Sequence, residues 1–258
     1  MKNAFVCIEG VRKSYPNNQK DKTPQLVLDD ISIDVKKGEF VTIFGPNGCG
    51  KTTLLNIAAG LIKQDAGRVS INQKSPLKAI FGYVFQNYPE SLLPWKRTID
   101  NIAFPLELKG KDKEERRKKV RGLLDFLGLH IPINNYPYQL SGGQQQMAVI
   151  ARSLIHDPDV LLMDEPFSAL NFQTRLYMQD KIQEIWSKTK VTLLFVSHEI
   201  EEAIYMADRV IVLTDKPTHV AKSLIVPFPR PRTRDMTLCQ TFIELKKEIF
   251  KMMEGVIG

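Results

Sequence analysis

The chain has 258 residues, 43% of them hydrophobic and 25% charged, with a formal net charge of +7. Length and apolar content suffice for one large domain or a core with an inserted lobe, which excludes disorder of the whole chain. The cationic excess suits a nucleic acid, an anionic lipid surface or a phosphorylated ligand, and alone it selects none of them. No stretch approaches the roughly twenty apolar residues needed to span a bilayer, and the opening MKNAFVCIEGVRKSYPNN turns polar too early for a secretory signal. Cys7, Cys49 and Cys239 are odd in number and far apart, with no Cys-x-x-Cys pair. That pattern gives neither a disulfide framework nor a structural zinc site and fits a reducing cytosol.

In chain order, the polar run Pro16 to Gln25 reads as a loop. The β-branched and aromatic run Phe40 to Phe44 reads as a strand, broken by Gly45-Pro46-Asn47-Gly48 and followed by helix formers after Lys51. Within this strand, loop and helix, Gly45-x-x-x-x-Gly50-Lys51-Thr52 matches the phosphate-loop pattern. Its glycines let backbone N–H groups converge on a phosphate, the helix start adds partial positive charge, and Lys51 reaches the β- and γ-phosphates. Thr52 can offer its hydroxyl to Mg²⁺. Cys49 reads as a small side chain that fits the loop in preference to a reactive thiol.

The apolar run of AIFGYVFQNYPE ends in Gln86, whose amide could meet Mg²⁺ or water. From Asn87 to about His156 the chain reads as helical, with Val120, Leu123, Leu124 and Leu127 at helical spacing. The basic run Arg116 to Arg121 reads as the solvated face of that helix. In LSGGQQQMAVIARSL, a serine and two glycines precede a helix-like run, which makes a second anion-binding helix start. Val160 to Met163 reads as a buried strand delivering Asp164 and Glu165 to its carboxyl end. There Asp164 is a candidate for Mg²⁺ through its water shell and Glu165 for orienting or deprotonating a water. VTLLFVSHEIEEA has the same layout and ends in His198, placed to contact a γ-phosphate. Phe242, Leu245, Ile249 and Met252 mark one side of an amphipathic helix from Thr237 to Met253.

These motifs, in this order, resemble the nucleotide-binding subunit of an ATP-binding cassette transporter across roughly residues 5 to 215. Leu140-Ser141-Gly142-Gly143-Gln144 is the decisive stretch, read as the family's signature motif. The resemblance implies an α/β fold, a RecA-like P-loop NTPase core with an antiparallel β subdomain and an inserted α-helical subdomain. It places the first part of the core with the β subdomain in 1–86, the helical subdomain in 87–156, the second part of the core in 157–225 and a C-terminal extension in 226–258. It implies ATP and Mg²⁺ as ligands. ATP would be held by Tyr15 stacking on adenine and by Gly45, Pro46, Asn47, Gly48, Cys49, Gly50, Lys51, Thr52 and Thr53. Thr52, Gln86 and Asp164 would serve Mg²⁺. Glu165, His198 and Gln86 would be catalytic, with Glu165 the general base. Ser141, Gly142, Gly143 and Gln144 would act on the nucleotide of a second cassette, so that one ATP is sandwiched between two subunits.

The implied setting is the cytoplasmic face of a membrane, with a homodimer or paired cassette bound to permease subunits, an extracytoplasmic solute-binding protein upstream and no nucleic acid. SLLPWKRTIDNIAFPLELKG and VPFPRPRTRD resemble the importers of nitrate, sulfonates, taurine and related compounds. Trp95 would be a permease contact or a core anchor. Tyr15, next to Pro16 in an expected loop, has an ordinary exposed tyrosine as its alternative reading. The chain departs from the family at Asn171, where aspartate usually follows Ser-Ala-Leu, and at Met147, where arginine is common. A soluble cassette ATPase acting on nucleic acid is the rival reading, yet such relatives usually carry long coiled coils or two cassettes in one chain. A regulatory cassette that binds ATP without turnover is a second rival, opposed by the presence of Glu165 and His198.

Overall fold

The computed structural model describes residues 4–16 and 23–257. The chain begins with β1 (Val6–Tyr15), β2 (Gln25–Val35), β3 (Phe40–Phe44), α1 (Lys51–Ala58), β4 (Ala66–Ile71) and β5 (Phe81–Val84). Five helices follow: α2 (Tyr88–Ser91), α3 (Thr98–Ile102), α4 (Phe104–Leu108), α5 (Lys113–Leu127) and α6 (Gly142–Leu154). Strands and helices then alternate as β6 (Val160–Asp164), α7 (Phe172–Thr189), β7 (Thr192–Ser197), α8 (Ile200–Met206) and β8 (Arg209–Leu213). The last elements are β9 (Val220–Ile225) and α9 (Gln240–Ile257). Two compact units result, one formed by Met1–Ala79 and Thr192–Gly258, the other by Ile80–Val191. Most of the run expected to loop after Pro16 lies outside the described residues, and Gln25 already opens β2.

In the first unit β1 pairs antiparallel with β2 and with β4, setting Ile8 opposite both Ile33 and Val69. β3 runs parallel to β7 on one side and β8 on the other, and β9 pairs antiparallel with β8. Every residue of β3 and β7 is buried. Strands covered on both faces need an unbroken apolar run, which is why FVTIF and TLLFVS lack the alternation of a half-exposed strand. α9 packs on α8 with Phe242 and Ile249 buried, while Leu245 and Met252 are half-buried, as the amphipathic spacing predicts.

The arginines of VPFPRPRTRD have a structural task that composition did not reveal. Arg232 is buried and donates to the carbonyls of Ile204, Tyr205 and Ala207 at 3.0, 3.4 and 2.8 Å. Arg230 donates to Met206 O at 2.7 Å and pairs with Asp208 at 2.9 Å. Together they satisfy the carbonyls that the C-terminal end of α8 leaves open. Burial lowers the Arg232 guanidinium to about 10, still charged near neutrality.

In the second unit β5 and β6 are parallel, with Val84 opposite Met163. α5 starts at Asp112, whose carboxylate accepts from the N–H groups of Glu114 and Glu115, and ends at Gly128 in the left-handed region at φ 67°. Its buried stripe is Val120, Leu124 and Leu127, with Leu123 half-buried beside it. On the polar faces Arg116 pairs with Glu107, Arg117 with Asp100 and Lys119 with Asp157. α6 lies against β5 so closely that a Cβ on Gly82 would sit 2.2 Å from Ser153 O and 2.9 Å from Ser153 Cβ. A backbone oxygen cannot yield as a side-chain tip can. Gly82→Ala is therefore expected to lower unfolding free energy by about 1–3 kcal/mol, through displacement of α6 from β5, as measured by urea denaturation.

Candidate nucleotide site

In the first unit the phosphate loop leaves β3 at Gly45 and enters α1 at Lys51. Gly48 and Gly50 have φ of 80° and 110°, which side chains resist. A Cβ on Gly50 would also come within 2.8 Å of Val27 Cγ1, so the loop rests directly on β2. Lys51 is buried, and its ammonium donates to Gly45 O at 3.0 Å and to Pro46 O at 2.9 Å, folding across the loop. Asn47, Gly48 and Thr52 are exposed, and Thr53 is half-buried. α1 begins at Gly50 with no side-chain cap, so its first-turn N–H groups keep their capacity to bind an anion. Cys49 is fully buried, and burial pushes its thiol pKa up. Burial and a raised pKa both oppose thiolate reactivity and favour a small side chain that fits the loop.

β7 sets Ser197 opposite Phe44, so His198 leaves the strand pair at the level where the phosphate loop begins. The turn carrying His198 is tied down by a group that the motif reading missed. Ser197 Oγ accepts from Glu199 N at 3.0 Å and donates to the buried Glu202 carboxylate at 2.5 Å. The imidazole is 36% exposed, with Nε2 3.8 Å from Glu199 Oε1. Tyr15 is the last residue of β1, paired opposite Gln25, and not a loop residue. Its hydroxyl lies 3.5 Å from Thr53 Oγ1, and Lys13 Nζ lies 5.6 Å from its ring centre.

In the second unit the parallel register of β5 and β6 brings Gln86 to the edge where Asp164 and Glu165 emerge. Gln86 Nε2 reaches Glu165 Oε2 at 3.5 Å. Asp164 is buried, and its charge adds to burial in raising the Tyr83 phenol pKa. Glu165 has φ 41°, a left-handed conformation that costs a non-glycine residue about 1–3 kcal/mol. Ser168 N–H donates to Glu165 O at 3.2 Å, and the fully buried Gln146 side chain donates to Pro166 O. Gln146, two residues beyond the LSGGQ stretch, thus ties α6 to the turn that bears Glu165.

Ser141 caps α6. Its Oγ accepts from Gln144 N at 3.4 Å, and Gln144 Oε1 accepts from Ser141 N at 3.0 Å. This reciprocal pair engages Gln144 in capping and leaves the N–H groups of Gly142 and Gly143 outside the intrahelical ladder. Gly142 and Gly143 line a cleft of about 410 Å³ that is also lined by Leu170, Asn171 and Tyr177. Asn171 Oδ1 accepts from Thr174 N at 2.9 Å and so caps α7. Met147 is buried and also lines the cleft. Trp95, for which burial and contact were both open, is 71% exposed.

Residues 28–168 match the family model described as ABC transporter. An uncharacterized ABC transporter ATP-binding protein of Methanocaldococcus jannaschii is 43% identical over 232 residues, covering 89% of this chain and 85% of the relative. The aliphatic sulfonates import ATP-binding protein SsuB of Bacillus licheniformis is 40% identical, covering 88% and 87%. The bicarbonate transport ATP-binding protein CmpD of Synechocystis is 36% identical, covering 90% and 82%. Among solved structures, the dimeric post-hydrolysis state of the ATP-binding cassette MJ0796 bound to ADP and Pi matches with a TM-score of 0.73 and 30% identity, covering 87% of this chain and all of that one. With its phosphate loop, strand-end carboxylates and capped LSGGQ helix, the chain belongs to the ABC transporter family as an ATP-binding cassette, an ATPase on a P-loop NTPase fold.

Proposed function

We propose that this cassette powers uptake of a small anion, of the sulfonate, nitrate or bicarbonate class, through a separate membrane permease. The observation that carries this reading is the 36–40% identity, over most of the chain, to ATP-binding proteins named for sulfonate import and bicarbonate transport. Trp95 and Leu108, 71% and 73% exposed on the second unit, support a protein contact there. In this reading the cassette sits at the cytoplasmic face of the membrane and an extracytoplasmic binding protein delivers the solute to the permease.

Hydrolysis is assigned to the residues at the strand ends. Glu165 takes a proton from the attacking water, which adds in line to the γ-phosphorus as the bridging bond to the β-phosphate breaks. Gln86, within reach of Glu165, orients that water, and His198 contacts the γ-phosphate. Lys51 turns from the loop carbonyls to the β- and γ-phosphates, the N–H groups of residues 45 and 47–53 surround them, and Tyr15 stacks on adenine. The Thr52 hydroxyl, the Gln86 amide oxygen and the Asp164 carboxylate are hard oxygen donors, suited to a Mg²⁺ that keeps most of its water. When bound, that ion withdraws charge from the phosphates.

The same reading pairs two cassettes, so that Ser141, Gly142 and Gly143 of one act on the nucleotide held by the other. The dimeric state of the matched cassette structures supports pairing. So do Phe172 and Tyr177, 70% and 60% exposed at the start of α7.

Glu165→Gln is expected to retain ATP binding, trap a dimer and slow steady hydrolysis about a hundredfold or more, checked by phosphate release beside size-exclusion chromatography with ATP. Turnover at the wild-type rate would remove Glu165 from the role of base. Mixing two inactive variants, Lys51→Ala and Ser141→Arg, should restore hydrolysis above either parent, because one of the two shared sites then contains only intact groups. Confirmed pairing without recovery would count against sharing. With the permease reconstituted, ATPase stimulation should appear with a sulfonate-, nitrate- or bicarbonate-binding protein and its ligand, and a screen in which none of these stimulates would reject the solute class.

A further inference from the structure

The β8–β9 turn touches the phosphate loop through one side chain that no motif singles out. The turn is closed on itself, with Thr214 N–H donating to His219 O at 3.0 Å and His219 N–H donating to Thr214 Oγ1 at 2.8 Å. Thr218, within it, is fully buried. Its N–H donates to Val27 O at 2.9 Å and its carbonyl accepts from Asp29 N at 3.0 Å, fastening it beside β2. Its hydroxyl donates to the carbonyl of Cys49, inside the phosphate loop. The loop rests on the same stretch of β2, since a Cβ at Gly50 would meet Val27 at 2.8 Å and Leu28 at 3.0 Å.

We infer that Thr218 is a positioning residue for nucleotide binding, which orients the peptide between Cys49 and Gly50. A trans peptide points its carbonyl and its N–H in opposite directions. With the Cys49 carbonyl drawn to the buried hydroxyl, the Gly50 N–H is directed away from the core, toward the half-exposed side of the loop. Gly50 carries no Cβ to hold that plane and its φ is 110°, so the orientation depends on a contact from outside the loop. Without the hydroxyl, the buried Cys49 carbonyl loses its donor, and a rotation of the peptide that recovers a partner elsewhere removes one N–H from the phosphate cradle. Thr218 touches no reacting atom in this account. It acts through the loop, and the inference rests on the loop's being the nucleotide site.

The test compares Thr218→Val with Thr218→Ser, and with Thr98→Val as a matched control. Thr98 is another buried threonine whose hydroxyl donates to a backbone carbonyl, that of Asn135 at 2.8 Å, in the second unit. Affinity for a fluorescent ATP analogue, KM, kcat and thermal midpoint are measured for each. Thr218→Val should weaken nucleotide affinity and raise KM about tenfold with kcat within about twofold, Thr218→Ser should restore both, and Thr98→Val should lose stability without losing affinity. Unchanged affinity in a folded Thr218→Val, no rescue by serine, or an equal loss in Thr98→Val would overturn the inference. Should valine prevent folding, Thr218→Ala against Thr218→Ser isolates the hydroxyl at constant loss of the methyl and is judged by the same outcomes. Wild-type protein that binds no nucleotide would instead refute the site itself.

Discussion

A strand buried along its whole length can offer polar atoms to a ligand only where it stops. β3, β6 and β7 are buried at every residue, and each stops in chemistry: the phosphate loop after Phe44, the Asp164 and Glu165 pair, and Ser197 with His198. Parallel pairing then sets where those ends fall. Phe44 stands opposite Ser197, and Val84 opposite Met163. A slip of one residue in either register would turn the side chains to the other face and move His198 away from the loop, or Gln86 away from Glu165. The apolar core therefore does more than stabilise the fold, because its register aligns the reactive groups.

This dependence explains what could be read from residues alone. A strand, a glycine turn and a helix start are local, and Phe40 to Phe44, the phosphate loop and the Val160 to Asp164 strand are each complete within a dozen residues. The spacing of Val120, Leu124 and Leu127 likewise needs no partner to be seen. Thr218 and Cys49 are 169 residues apart, and nothing near Thr218 distinguishes it from any polar turn residue. Arg232 stands in a basic, proline-rich stretch whose own residues do not announce its burial, because the carbonyls it serves lie on another element. Gly82 carries no mark of its contact with Ser153. Tyr15 was assigned to a loop on the strength of Pro16, whereas pairing with β2 extends the strand through it. In each case the deciding contact is tertiary and leaves no period or composition to detect.

The two departures from the family pattern have local explanations. At Asn171 the side-chain oxygen already serves as the N-cap of α7, a task asparagine and aspartate perform about equally well. The substitution therefore leaves helix initiation intact, and in the lining of the cleft it removes a charge and puts an amide N–H donor where aspartate has an acceptor oxygen. Met147 is buried among the residues lining that cleft, where an arginine would need a partner to offset its desolvation. A flexible thioether fills the same volume without that requirement.

Left-handed backbone at the site is distributed unequally. Gly48 and Gly50 adopt positive φ at little cost, which is the use of glycine in such a loop. Glu165 adopts it as a non-glycine residue, and the about 1–3 kcal/mol involved must be offset by its neighbours. Those neighbours are identifiable: Pro166 and Phe167 are buried immediately after it, Gln146 donates to the Pro166 carbonyl, and Ser168 N–H closes the turn onto Glu165 O. The helix that begins at the LSGGQ stretch thus supplies one of the bonds that hold the carboxylate in its strained position. Through Gln146 that helix is joined by a buried hydrogen bond to the turn bearing the group assigned to activate water.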